Sequence, residues 1–279
     1  MRPRLSPEER RDRRKRAMRR SMFVLPSSIT MASVFCGFSS VVMSINAAGA
    51  TPERYFLWAA GLLVLAGIFD GLDGRVARAT NTATEFGVQL DSLADVVSFG
   101  MAPAILAYRY AFFQLGIHDS HVRAAGWAAC FVFTACGALR LARFNVQVGA
   151  VDSRYFVGLP IPAGAACVAS VIIWHPTPPE TSALAYSFAA GLFLVGLLMV
   201  STIRFSSFKK RATSPRAIMI TNLTIVLILA MLVLFQQRFF VGFFAVYIAL
   251  TLVMNLAWKA GWRGVEPPHD GEEDLDTVH

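Results

Sequence analysis

Charge is what this sequence has least of. Only 16% of its 279 residues are Asp, Glu, Lys or Arg, where a soluble domain carries about a quarter. Cysteine is scarce too. Cys36, Cys130, Cys136 and Cys167 are scattered through apolar stretches. They have neither the density of a disulfide framework nor the spacing of a zinc site, and they read as packed thiols. No internal repeat is visible, and no stretch of domain length is polar enough to fold in water. These absences argue against a disulfide-stapled domain, a zinc module, a solenoid and an ordinary soluble enzyme.

What is present is apolar length. Hydrophobic residues make up 55% of the chain, and the mean hydropathy is +0.52. A helix that crosses the hydrocarbon needs about 20 mostly apolar residues. Eight blocks qualify as spans: 29–47, 55–69, 88–113, 124–141, 161–174, 184–201, 217–235 and 239–258. The second and fifth are short, and each is expected to continue as helix past its apolar core. The expected fold is all-α, a polytopic membrane bundle of about eight helices. Basic residues precede the first span, but over too long a region for a signal peptide, so it reads as an uncleaved anchor.

The net charge of +8 is unevenly placed. With a cytoplasmic N-terminus, 22 of the 26 Lys and Arg fall on the inside, and only Arg54, Arg109, Arg123 and Arg238 fall outside. That split obeys the positive-inside rule and puts both termini in the cytoplasm. The tail RPRLSPEERRDRRKRAMRR is better suited to anionic lipid headgroups than to nucleic acid, because a membrane follows at once. The closing EPPHDGEEDLDTVH reads as a disordered acidic tail. His118, His121 and His175 read as solvated residues of the outer loops.

Against this background one stretch is anomalous: DGLDGRVARATNTATEFGVQLDSLAD, from Asp70 to Asp95. A carboxylate in a membrane helix is costly and points by default to function. Asp70 and Asp73 are three apart, and Asp91 and Asp95 are four apart, so each pair shares a helix face. The polar stretch ATNTATEFG between them reads as a loop joining two antiparallel helices. All four acids would then converge near the inner headgroups. The stretch has no lysine to neutralise them, and Arg75 and Arg78 supply only two charges. Hard oxygen donors favour Mg²⁺, Mn²⁺ or Ca²⁺, and four carboxylates suffice for a two-metal site that clamps a phosphoryl group. Gly71, Gly74 and Gly87 allow a ligand to approach the backbone. A solvated loop with incidental acids would explain neither the paired spacing nor these glycines.

The stretch resembles the signature of the CDP-alcohol phosphatidyltransferase family, D-x-x-D-G-x-x-A-R, eight residues, then G-x-x-x-D-x-x-x-D. Asp70, Asp73, Gly74, Ala77, Arg78, Gly87, Asp91 and Asp95 meet it in full. The resemblance implies a membrane enzyme with a six-helix core, usually a homodimer, with its site open to the cytoplasmic leaflet. An alcohol attacks the diphosphate of a CDP-linked lipid and CMP leaves. Asp70, Asp73 and Asp91 would hold two Mg²⁺ or Mn²⁺ ions. Asp95 would complete the metal site and act as general base. Gly74, Ala77, Arg78 and Thr84 would line the CDP moiety. Relatives often open the first span with Pro-Asn and then Thr. Here LPSSIT keeps Pro26 and Thr30 but has Ser27 in the place of Asn; the resemblance makes Thr30 a candidate contact to the CDP-lipid, and Ser27 could still donate a hydrogen bond in place of Asn.

Four outer stretches, DSLADVVSFGMAPA, GALRLARFNV, YFVGLPIPAGA and STIRFSSFKK, resemble the membrane-integrated bacterial phosphatidylserine synthases within the family. That implies CDP-diacylglycerol and L-serine as substrates and a bacterial inner membrane as the location. Arg140, Arg143, Asn145 and Arg204 are candidates to hold the serine carboxylate or the lipid phosphates. Arg140 and Arg143 suit positive-inside anchoring as well, and Asn145 suits a helix cap. Gly158, Pro160 and Pro162 read as a shaped loop. The implied organisation is a basic tail over 1–24, the core over 25–215, two further spans over 216–260 and the acidic tail over 261–279. Two rivals remain. One is a family member that uses glycerol phosphate, inositol or choline. The other is a cation-coupled transporter, although its acids would be expected near the bilayer midplane within repeated halves.

Overall fold

The computed structural model of the protein describes residues 27–47, 51–79, 84–147, 155–201 and 204–206. Prolines and short polar side chains set where its helices begin. α1 (Ser27–Ile45) follows Pro26. α2 (Pro52–Ala79) opens on a proline, with Glu53 in its first turn. The missing N–H costs nothing there, and the acid suits the positive end of the helix. Thr84 caps α3 (Glu85–Asp95), its hydroxyl oxygen accepting from the Gly87 N–H at 3.1 Å. The chain then stays helical through a π-helical turn (Val96–Met101), α4 (Ala102–Ala107) and a second π-helical turn (Tyr108–Phe112), making one rod. After α5 (Leu115–His118), Asp119 accepts from the N–H groups of His121 and Val122 and so caps α6 (Ser120–Gln147). α7 (Ile161–Trp174) starts after Pro160, and α8 (Ser182–Val200) is capped by Thr181.

Among the described residues, five helical stretches are long and apolar enough to cross a membrane: Ser27–Ile45, Pro52–Val76, Phe86–Phe112, Ser120–Val146 and Ser182–Val200. With the shorter α7 they match the first six expected spans, and the protein is an all-α, multi-pass membrane protein. The departure from all-α among the described residues is a three-residue antiparallel ladder, in which β1 (Tyr155–Val157) pairs with β2 (Arg204–Ser206). The seventh and eighth spans and both charged tails lie outside the described residues.

The second span extends past its apolar core, as expected, but the fifth does not. At 14 residues α7 is about 21 Å long, against about 30 Å of hydrocarbon. Proline explains both of its ends. Pro160 and Pro162 start it, and Pro176, Pro178 and Pro179 follow its last turn. The loop between the aspartate pairs is also shorter than ATNTATEFG suggested, because Ala79 and Glu85–Gly87 are helical.

The bundle is held together as membrane bundles are, by small residues and polar stitches. Ala59, Ala60, Ala66, Ala102, Ala107 and Ala165 are buried, while Phe35, Trp58, Trp127 and Phe131 point outward. At Gly37 a Cβ would lie 2.8 Å from the Ser98 Cα, so α1 and the rod pack backbone to backbone. Ser40 donates to the Ala59 carbonyl (2.9 Å), Ser33 to Ala66 (3.2 Å) and Ser98 to Ser33 (3.2 Å), which ties α1 to α2 and to the rod. At one end of the bundle Arg109 donates to the Ser44, Ile45 and Ala47 carbonyls that terminate α1, and Tyr110 donates to the His175 and Thr177 carbonyls. The aspartates lie at the other end.

Candidate active site

Each aspartate pair sits on one helix, as its spacing requires. Asp70 and Asp73 are in the last turns of α2, and Asp91 and Asp95 are in α3. The two helix ends bring Asp70, Asp91 and Asp95 together, with one carboxylate oxygen of each within 4.8 Å of the others. Asp73 stands beside this trio and acts electrostatically on Asp70 and Asp91. Its carboxylate accepts from the Thr30 hydroxyl at 2.9 Å and from the Gly74 N–H. Thus the four acids converge as expected, three closely and the fourth held from α1.

The cluster is partly withdrawn from solvent: Asp73 is 5% and Asp95 9% exposed, while Asp70 and Asp91 are half-buried. Like charges this close, in apolar surroundings, are costly without a cation among them. One cation is built in. Arg140, near the end of α6, is 8% exposed and interacts coulombically with Asp95. The donor set consists only of carboxylate oxygens, so this group can hold a hard divalent cation. A Cβ at Gly71 would meet open space, which leaves room beside Asp70.

The remaining candidates divide. Thr30 reaches the metal-binding group, since its hydroxyl goes to Asp73. Thr84 is an exposed helix cap. Arg143 donates to the Val200 carbonyl at 3.5 Å, across to the end of α8. Asn145 lies within α6 and caps nothing; its amide donates to the Ser92 hydroxyl oxygen at 2.9 Å. Arg204 falls on β2, opposite Val157. The side chains of Ala77 and Arg78 lie outside the described set. His118, His121 and His175 are exposed at the far end, as expected, but His118 and His121 sit on α5 and α6 rather than in loops.

The loop before α7 is shaped, as its glycine and prolines suggested. Gly158 has φ +79°, and a Cβ there would collide with the Met199 carbonyl oxygen. The adjacent Leu159 N–H donates to the Leu198 carbonyl at 3.0 Å. This contact pins the start of α7 to the end of α8.

Two features were missed. Ser92 lies between two acids in DSLAD, and its position three residues before Asp95 was the available signal. The π-helical turn that begins at Val96, directly after Asp95, has no compositional signature. Such turns often mark functional sites. Here it buries Ser98, Phe99 and Gly100, and the Gly100 carbonyl accepts from the Thr134 hydroxyl of α6 at 3.3 Å.

Comparison with known proteins agrees with this geometry. The family model described as CDP-alcohol phosphatidyltransferase matches residues 23–203. A Helicobacter pylori (strain ATCC 700392 / 26695) protein named CDP-diacylglycerol–serine O-phosphatidyltransferase is 39% identical over 193 residues, 68% of this chain and 74% of that one. Proteins of the same name from Methanocaldococcus jannaschii and Bacillus subtilis are 33% and 32% identical, over 69% and 68% of this chain and 78% and 94% of their own lengths. The chain belongs to the CDP-alcohol phosphatidyltransferase family.

Proposed function

We propose that this protein transfers the phosphatidyl group of CDP-diacylglycerol to the hydroxyl of L-serine, giving phosphatidylserine and CMP. The observation that carries the reading is the meeting of Asp70, Asp91 and Asp95 at one end of a membrane bundle. There a water-soluble alcohol can reach an activated lipid. Serine is favoured over glycerol phosphate, inositol or choline by the names of the relatives in three organisms. A transporter reading loses ground, because the acids lie at helix ends rather than midway along broken helices.

Asp70, Asp73 and Asp91, completed by Asp95, would hold two Mg²⁺ or Mn²⁺ ions. When bound, the ions supply the positive charge that offsets the diphosphate and the departing CMP. Asp95 takes the proton of the serine hydroxyl. As it does so, the serine oxygen bonds to the phosphorus that carries diacylglycerol. The bond from that phosphorus to the oxygen of CMP breaks, and CMP leaves with the electron pair. Thr30 holds Asp73 in place for this chemistry. Gly74, Ala77, Arg78 and Thr84 line the CDP moiety. Arg140 faces the reacting phosphate or the serine carboxylate from α6, with Arg143 and Arg204 at the rim. Guanidinium groups suit both anions.

The positive-inside distribution supports a cytoplasmic site and cytoplasmic termini, and the Helicobacter and Bacillus relatives support a bacterial inner membrane. Anionic lipid headgroups are the partner suited to the basic tail, and a second copy of the chain completes a homodimer. The assay is CMP release by the purified protein in detergent, with CDP-diacylglycerol and Mn²⁺. L-serine, glycerol 3-phosphate, inositol and choline are compared as acceptors. Release with serine alone is the expected result. Release with another acceptor alone would keep the chemistry and replace the substrate.

A further inference from the structure

The Asn145–Ser92 contact crosses from α6 to α3 beside the aspartate cluster. The Ser92 hydroxyl donates its single proton to the Val88 carbonyl of its own helix at 3.0 Å. Its oxygen therefore faces Asn145 as an acceptor only, and Asn145 must present its NH₂ group, which it does at 2.9 Å. The two bonds form a chain from α6 through a side chain to the α3 backbone.

The position of this chain gives it a role. Ser92 is three residues before Asp95 on α3, a rise of about 4.5 Å. Asn145 is five residues after Arg140 on α6, a rise of about 7.5 Å. The two helices run in opposite directions past each other at this point. The Asn145–Ser92 hydrogen bond and the buried Arg140, which acts electrostatically on Asp95, thus follow one another between the same two rods, with the charged rung deeper. Arg140 is buried and has a long, flexible stem, so its placement on Asp95 depends on the register of α6 against α3. The neutral rung fixes that register without adding charge to a site already rich in it. It engages one of the two N–H groups of the Asn145 amide.

We propose that the Asn145–Ser92 hydrogen bond is a positioning brace for catalysis, holding α6 in register with α3 so that Arg140 faces Asp95 as the acceptor hydroxyl is deprotonated. The inference rests on the transferase reading above. Neither residue touches substrate in this account, and both act through the charged rung.

The test is a double-mutant cycle with Ser92→Ala, Asn145→Ala and the pair, plus Ser92→Thr, which keeps the hydroxyl. CMP release is measured at saturating L-serine, below the lowest melting temperature of the set. Loss of one neutral hydrogen bond corresponds to about a fivefold fall in kcat for each single variant. The double variant falls by about the same factor, since the bond is already gone. KM for CDP-diacylglycerol stays put, and Ser92→Thr retains the wild-type rate. Losses that multiply, to about 25-fold in the double variant, overturn the brace. So does a rise in KM at unchanged kcat, or a set that differs only in melting temperature. Failure of the underlying reading is seen separately: wild-type protein that releases no CMP with serine overturns both, whereas active wild type with multiplying losses overturns only the brace.

Discussion

Thr30→Val removes one hydroxyl and keeps the shape of the side chain. In the structure that hydroxyl donates to the Asp73 carboxylate at 2.9 Å, and the two residues are 7% and 5% exposed. A hydrogen bond to a charged partner contributes about 1.5–3 kcal/mol. If it pre-orders Asp73 for a metal ion, that energy must come out of metal binding once it is lost. At about 1.4 kcal/mol per tenfold, Mn²⁺ affinity should fall by roughly 10- to 150-fold. The Gly74 N–H still supports the carboxylate, which favours the lower end of this range. The assay is Mn²⁺ titration of the detergent-solubilised protein followed by electron paramagnetic resonance, with Thr30→Ser as the variant that keeps the hydroxyl. Unchanged Mn²⁺ affinity in Thr30→Val, with a raised KM for CDP-diacylglycerol, would refute the reasoning and return Thr30 to the nucleotide.

Three further outcomes follow from the same geometry. Gly158→Ala forces a side chain into a left-handed backbone and against the Met199 carbonyl; a strained position of this kind costs about 1–3 kcal/mol and should lower the melting temperature in detergent. Arg140→Met removes the buried cation that acts electrostatically on Asp95, so CMP release should fall, while Arg140→Lys, which keeps the charge, should recover part of the rate. EDTA should abolish CMP release, with recovery on adding Mn²⁺ or Mg²⁺; activity that persists in chelator would contradict the metal-site reading.

The placement of six spans and the pairing of the acids were legible because both depend on periodicity. Apolar length sets a membrane helix, and three- and four-residue spacing sets a shared face. Helix caps were less visible. Thr84 was singled out through the family resemblance alone, and that its hydroxyl oxygen caps α3 was not foreseen. The fifth span was misjudged in length, because apolar content hid the control exerted by the prolines on both sides. The partners of Asn145 and Arg143 were not legible at all. Ser92 and the Val200 carbonyl are 53 and 57 residues away in sequence, and only the crossing of α6 with α3 and α8 brings them near. The π-helical turn after Asp95 left no trace either, since it depends on how Ser98, Phe99 and Gly100 pack rather than on which residues they are.

The central claim is that the aspartate cluster activates the serine hydroxyl against a CDP-linked lipid. The most direct measurement follows radiolabelled L-serine into chloroform-extractable lipid, by wild-type protein and by Asp95→Asn, with CDP-diacylglycerol and Mn²⁺ present. The account predicts labelled phosphatidylserine with stoichiometric CMP from the wild type and neither product from the variant, although the variant remains folded and monodisperse in detergent. Labelled lipid formed equally by Asp95→Asn, or CMP released by the wild type with no label in lipid, would contradict it.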